Sequence, residues 1–151
     1  MSKKKFIKPI VFDKYLGSAK ISGLIACNYY HFLSDKDVAL VMFYNPEDPM
    51  CARLKPHMLR QAKNDKTIEH GYAAVNCLEE ADLCKREGMR YLPAFKLYTK
   101  GLEVNKFGDT FDYVTMDKMI GKCPIMHKVH KSRQPVDPDC PRPPVVNYRQ
   151  K

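Results

Sequence analysis

The sequence predicts an α/β fold in which a sheet is covered by helices on both faces. A continuous apolar run, Val38 to Tyr44, is typical of a strand that is buried on both sides. Strand-like and helix-like patterns alternate along the chain before a hairpin and a final helix, which is the order of an α/β domain. With 151 residues, the chain has room for one domain with a substantial core and for extensions.

The elements of the first half follow from local signals. Residues 21–24 predict a short strand, and Asn28 is a suitable N-cap for a helix over 29–35. After the apolar strand, a helical pattern covers 51–65, and Pro56 should kink it because proline removes a backbone donor. The core side chains expected on this helix are Ala52, Leu54, Met58, Leu59 and Ala62.

The second half adds a strand, a helix, a hairpin and a last helix. Residues 72–77 have the apolar pattern of a strand, and the next helix should end at Gly88. Residues 94–108 predict a hairpin that turns at Lys100 and the glycine after it, and a final helix covers about 115–122. The complete predicted order is βαβαβαββα.

The net charge of +9 is concentrated at the two ends of the chain. Residues 1–20 carry six lysines against one aspartate, and residues 121–151 carry seven basic side chains against two aspartates. We therefore expect a basic N-terminal arm (1–17), a nearly neutral domain (18–123) and a basic C-terminal arm (124–151). The C-terminal arm holds six of the eleven prolines, so it should run extended.

Two interpretations of the arms stay open. Terminal charge can simply favour solubility, or it can attract the arms to a polyanionic surface. In the second case the expected partner is a protein with an acidic surface, such as a cytoskeletal polymer or a larger assembly. Nucleic acid is not expected, because the arms lack a platform for stacking bases and the domain adds no basic face. The cations expected to bind the partner are Lys3, Lys4, Lys5, Arg142, Arg149 and Lys151.

Membrane insertion, export and metal binding are not expected. No apolar run is long enough to cross a bilayer, and no apolar segment follows the first lysines as in a secretory signal, so the sequence predicts a cytoplasmic protein. A location in the lumen of the endoplasmic reticulum is the alternative if a signal was removed. Four possible zinc ligands match no common zinc-finger spacing, and neither a metal, a cofactor nor a disulfide within this set is expected. They are Cys123, His127, His130 and Cys140.

Three separated stretches resemble the thioredoxin-like domain of the protein disulfide isomerase family. They are "LVMFYNPEDPMCARLKP", "AAVNC…LC" and "GMRYLPAFKLYTKG". In order, they resemble the family's strand, C-x-x-C turn and helix, its strand ending in Asp-Cys with a second cysteine, and its cis-proline stretch. The resemblance covers about residues 18–123. It implies a thioredoxin fold, a central mixed sheet with helices on both faces, flanked here by the extended basic arms.

The resemblance also implies that dithiol chemistry is absent. Where the family has Trp-Cys-x-x-Cys, residues 47–51 read Glu-Asp-Pro-Met-Cys, so Asp48 takes the place of the first cysteine and Cys51 that of the second. Disulfide exchange needs one thiol to form a mixed disulfide and another to resolve it. Met42 stands where active members carry a buried acid. The protein is therefore not expected to be an enzyme.

Each remaining residue of this degenerate site has two interpretations. Asp48 before a proline is a favourable helix start whose carboxylate accepts from backbone N–H groups, and ligand binding is the alternative. Cys51 is expected to be buried and inert, and the alternative is a monothiol that forms mixed disulfides or is modified.

Two further sites come from the resemblance alone. Pro93, preceded by Leu92, matches the cis-proline, whose loop contacts substrate backbone in the family, so these two residues are peptide-binding candidates. Cys77 and Cys84 match a pair that is bridged in some members, so they are a possible disulfide, but in a cytosolic protein reduced core residues are the expected state.

The predicted function is that of a redox-inactive thioredoxin-fold binding module, an adaptor or structural component of an assembly. The alternative is a lumenal member of a protein disulfide isomerase system that acts as a monothiol oxidoreductase or chaperone.

Overall fold

The computed structural model describes residues 11–126. Within this range the predicted order of elements is confirmed, with one additional strand at the start. The elements are β1 (Val11–Phe12), β2 (Ile21–Gly23), α1 (Tyr29–Ser34), β3 (Val38–Tyr44), α2 (Pro49–Asn64), β4 (His70–Asn76), α3 (Ala81–Arg86), β5 (Ala94–Thr99), β6 (Leu102–Phe107) and α4 (Tyr113–Lys122). The six basic residues named above, and three of the four zinc-type ligands, lie outside the described residues.

The strands form one mixed sheet in the order β1-β2-β4-β3-β5-β6. β3 lies at the centre, parallel to β4 and antiparallel to β5, and all seven of its residues are buried. Its alternate side chains enter two separate cores, one shared with α2 and α4 and the other with α1 and α3. The continuous apolar run therefore reflects a strand without a solvent-facing side, as predicted.

Helix α2 packs one apolar face into the core that it shares with β3 and α4. Leu54, Met58 and Ala62 are buried as predicted, and Leu59 is half-buried. The expectation for Ala52 is wrong, because this residue is exposed near the start of the helix. The helix continues through Pro56.

The ends of the helices and the hairpin show how local signals act. Asn28 precedes α1, but its Oδ1 accepts from the Ile25 amide at 2.9 Å and makes no cap bond to the helix. Asp112 does cap α4, where it accepts from the Thr115 amide at 2.9 Å. The hairpin turns at Lys100 (φ 49°) and Gly101 (φ 90°), as predicted. This left-handed geometry favours glycine, since it has no Cβ.

The sequence predicts an arm over residues 1–17, but residues 11–17 lie against the sheet. β1 pairs antiparallel with β2, and Asp13 and Leu16 are only 6% and 3% exposed. A Cβ on Gly23 would lie 3.2 Å from the Asp13 Cα, so the two backbones approach closely at this point. The folded part of the chain therefore begins before residue 18.

Candidate functional site

The turn between β3 and α2 is organised by Asp48. Its backbone is extended (φ −88°, ψ 125°), and its Oδ1 accepts a hydrogen bond from the Met50 amide at 3.3 Å. Pro49 occupies the first helical position, where no backbone donor is needed. Asp48 is thus the N-cap of α2, the structural role that the Asp-Pro pair favours.

Cys51 lies one turn into α2 and is 0% exposed. Its Sγ donates to the Asp48 Oδ2 at 3.3 Å and accepts from the Asn45 amide at 3.5 Å. Burial is the main cause that raises the pKa of this thiol to about 11; the hydrogen bond from the Asn45 amide opposes it, and the Asp48 carboxylate raises the pKa further. Because the thiolate is the nucleophile, the raised pKa lowers the fraction of Cys51 in its reactive form at neutral pH.

An aromatic pair from distant parts of the chain lies beside this turn. The ring of Tyr15 stacks on that of Tyr44, with centroids 4.4 Å apart, and Lys55 Nζ lies 4.4 Å from the Tyr15 centroid. Burial raises the pKa of Tyr15, and the neighbouring acidic groups Cys51 and Asp48 raise it further. The N-terminal segment therefore contributes directly to the surroundings of the cysteine.

A buried carboxylate also lies in this region, but it comes from Asp13 and not from β3. Met42 of β3 is 0% exposed and belongs to the same apolar core as Cys51. The Asp13 oxygens accept from the Tyr44 hydroxyl at 2.8 and 3.1 Å and from the Leu16 amide at 2.9 Å. These bonds fix the segment to the sheet. Sequence reasoning missed Asp13 and Tyr15 because six lysines within residues 1–20 led to the prediction of a basic arm there. The adjacent aromatic and apolar residues Tyr15 and Leu16 were the signal that this segment packs against the domain.

The loop before β5 borders the same end of the sheet. The Leu92–Pro93 peptide bond is cis. Pro93 is buried, Leu92 is half-buried, and the adjacent Tyr91 is 82% exposed. The two peptide-binding candidates thus form the base of a loop whose tip presents an aromatic ring.

The expectation that Cys77 and Cys84 are reduced is wrong, because the structure contains a disulfide between them, with Cα atoms 5.7 Å apart. The end of β4 and the buried side of α3 bring the two residues within bonding reach. The Cys77 amide also donates to the Tyr44 carbonyl at 2.8 Å, which connects the disulfide to the strand that leads into the Asp48 turn. The disulfide borders an open pocket of about 420 Å³.

Two negative observations apply to residues 11–126. They contain no group of three or more His, Cys, Asp or Glu side chains arranged to hold a metal ion. None of the helices in this range is long and apolar enough to span a membrane. Cys123, from the zinc-type set, is half-buried, and burial raises its pKa.

Comparison with known proteins agrees with this geometry. The Thioredoxin family model matches residues 21–122. The chain belongs to the thioredoxin family. Among curated relatives, it is 38% identical to protein disulfide-isomerase A5 of Bos taurus over 85 residues, which are 53% of this chain and 16% of that protein. It is 32% identical to ER-retained PMA1-suppressing protein 1 of Saccharomyces cerevisiae over 79 residues, which are 50% of this chain and 11% of that protein.

Solved structures confirm the thioredoxin fold. The first thioredoxin domain of mouse protein disulfide-isomerase A4 superposes with a TM-score of 0.63 at 19% identity, covering 92% of this chain and 88% of that one. Mitochondrial thioredoxin 3 from Saccharomyces cerevisiae superposes with a TM-score of 0.61 at 18% identity, covering 74% of this chain and 100% of that one. The chain spans less than a fifth of the length of the curated relatives named above, at 16% and 11%.

Proposed function

We propose that this chain is a protein-binding thioredoxin domain that does not catalyse disulfide exchange. The observation that carries the proposal is the Asp48–Cys51 pair. Asp48 stands where the resemblance to protein disulfide isomerases places the attacking cysteine. Its carboxylate accepts a hydrogen bond from the Cys51 thiol, with Oδ2 and Sγ 3.3 Å apart. One fully buried thiol cannot both attack a substrate disulfide and resolve the resulting adduct.

The binding role is supported by what surrounds this turn. Next to the buried Pro93, Tyr91 presents an exposed aromatic ring, and exposed aromatic side chains are common anchors in protein interfaces. In the sequence-based interpretation, the basic arms add attraction to an acidic partner surface. This partner assignment rests on charge distribution alone.

For the compartment, we favour an oxidising one, such as the endoplasmic reticulum lumen, over the cytoplasm. The Cys77–Cys84 disulfide supports this choice, because structural disulfides persist where thiols are not kept reduced. Kinship with protein disulfide isomerases and with a yeast protein named as ER-retained supports it as well.

An insulin reduction assay tests the absence of exchange chemistry. We expect no turnover above background for the wild-type chain and for Cys51→Ala. In Asp48→Cys, the new thiol can form a disulfide with Cys51, which mass spectrometry under oxidising conditions would detect. Turnover by the wild-type chain that disappears in Cys51→Ala would instead establish the monothiol oxidoreductase.

A further inference from the structure

The pocket of about 420 Å³ beside the Cys77–Cys84 disulfide is separate from the Asp48 turn. One side is formed by α3, where Ala81, Cys84 and Lys85 share a face because they are three and four residues apart. Leu92 of the cis-proline loop lines the pocket as well. The pocket therefore borders the loop that holds the two peptide-binding candidates, with Leu92 common to both.

The interior of this pocket is largely apolar and its mouth is open. The disulfide, Met89 and Leu92 give it apolar walls. Gly88 has φ +77°, and a Cβ built there would meet no atom within 4 Å. The space beside Gly88 is therefore open to an incoming side chain.

The charged residues of the pocket are all basic. Lys85 and Arg90 line it, both are exposed, and neither forms an ion pair with any residue in the 11–126 range. No acidic side chain is among its lining residues. The nearby Glu87 carboxylate accepts from the Tyr30 hydroxyl and pairs at 3.1 Å with Lys96, which also pairs with Glu103 at 2.8 Å.

The end of α3 does not offset this positive charge. The carbonyl oxygens of Leu83, Cys84 and Lys85 accept from the amides of the three residues that follow the helix, at 2.9 to 3.0 Å. The Glu87 carbonyl accepts from Lys96 Nζ at 2.9 Å. Since these acceptors are occupied, Lys85 and Arg90 are the charged side chains that the pocket lining offers to a ligand.

We propose that this pocket is a docking subsite for an extended acidic protein segment, with one apolar side chain between the disulfide and Leu92 and carboxylates on Lys85 and Arg90. The subsite rests on the proposed binding function and specifies the class of ligand for it. It also places part of the recognition of an acidic partner on the folded domain and not on the arms.

Fluorescence anisotropy with a labelled peptide, Gly-Asp-Glu-Leu-Glu-Asp-Gly, tests the subsite in the full chain at about 0.1 M salt. We expect the double variant Lys85→Glu/Arg90→Glu to weaken binding roughly tenfold, because two attractions become repulsions. The matched control is Lys63→Glu/Lys118→Glu, which changes the net charge equally on exposed positions of α2 and α4, against the other core. The control should bind like the wild type.

A second variant tests the apolar part without changing charge. Ala81 is exposed at the pocket, so Ala81→Trp should fill the space while the fold tolerates it. We expect Ala81→Trp to bind the leucine-containing peptide more weakly than the wild type does. When the peptide is added to the wild type, the NMR signals of the Gly88 and Met89 amides should shift. Absence of peptide binding, equal loss in both double variants, or an undisturbed Ala81→Trp would overturn the subsite. These outcomes leave the insulin test of the Asp48 turn unaffected, so the two proposals can fail separately.

Discussion

The Cys51 thiol donates a hydrogen bond to the Asp48 carboxylate, with Sγ and Oδ2 3.3 Å apart. The other oxygen of this carboxylate accepts from the Met50 amide at the start of α2. One side chain therefore stabilises both the helix end and the protonated thiol. Ionisation of Cys51 would remove this hydrogen bond and place two negative charges side by side, so the pair opposes it.

Replacing Asp48 with asparagine keeps a good N-cap and removes the charge. We expect the pKa of Cys51 to fall from about 11, because the carboxylate raises it, but to stay above its ordinary value since burial is the larger cause. The pH profile of alkylation at Cys51, followed by mass spectrometry of its peptide, measures the change. An alkylation profile that does not move, or that moves to higher pH, would show that the Asp48 carboxylate does not raise the pKa of Cys51.

Stability at alkaline pH offers a second test of the same thiol. The pKa of Cys51 is raised from 9.0 to about 11 in the folded state. The protonated thiol therefore contributes fully to the free energy of unfolding below pH 9, and this contribution is lost as the pH rises through about 11. Urea unfolding at several pH values measures this contribution. The difference in unfolding free energy between the wild type and Cys51→Ala should shrink across that window, while tyrosine titration is common to both proteins. A difference that stays constant would refute the raised pKa.

Loss of the hydroxyl should change the stability of the protein differently at the two stacked tyrosines, Tyr15 and Tyr44. Tyr44→Phe removes both of its hydrogen bonds to the buried Asp13, which we expect to cost about 1–3 kcal/mol. The Tyr15 hydroxyl is buried with no hydrogen-bond partner in the described part of the chain, so Tyr15→Phe should be neutral or slightly stabilising. Chemical denaturation of both variants decides the point. Equal destabilisation would show that the Tyr15 hydroxyl also makes a stabilising contact and would contradict its lack of a partner.

Two truncations separate the N-terminal arm from the folded segment. Removal of residues 1–10 should leave the unfolding free energy unchanged, whereas removal of 1–17 eliminates β1 and the buried Leu16. Loss of Leu16 alone should cost about 1.5–3 kcal/mol. Equilibrium unfolding in urea compares the two proteins. If both truncations unfold like the full chain, the packing of residues 11–17 does not contribute to stability.

The Cys77–Cys84 disulfide closes a short loop, with a sequence separation of 7. On the chain-entropy account, its reduction should lower the unfolding free energy by about 2 kcal/mol. Thermal unfolding with and without dithiothreitol measures this effect in the wild type. Cys27 is also disulfide-bonded, so the reductant acts on more than one bond. The double variant Cys77→Ala/Cys84→Ala therefore provides the control, because the difference in stability between it and the wild type should shrink when the reductant is added. A wild-type transition that ignores the reductant would rule out a stabilising disulfide.

Elements with a strong local pattern were predictable. β3 followed from an unbroken apolar run, and the β5–β6 hairpin from the lysine-glycine turn. β1 was not, because two residues are too few to show a strand period. Gln61 was missed as a core residue for another reason. Its Nε2 donates to the Tyr72 hydroxyl at 3.2 Å and to Asp117 Oδ1 at 3.3 Å, and such distant partners leave no trace in a helical pattern.

The site was predictable only in part. The Asp48 cap followed from the Asp-Pro pair, and the cis bond before Pro93 from the family resemblance. The Asp13–Tyr44 contact joins residues 31 positions apart and depends on the path of the chain, which composition does not encode. The Cys77–Cys84 disulfide was predicted only as a possibility, because its redox state was judged from an assumed compartment and not from the positions of β4 and α3.

The position of β1 and β2 at one edge of the sheet has a consequence for synthesis on the ribosome. β2 pairs with β1 and β4, and β4 also pairs with the central strand β3. The earliest described residues to leave the exit tunnel must therefore wait for His70–Asn76 before their edge of the sheet can close. Until then β3, an unbroken apolar strand, has neither of its neighbours. Nascent chains of this protein should thus expose an aggregation-prone segment to chaperones while the residues between Tyr44 and Asn76, about a fifth of the sequence, are translated.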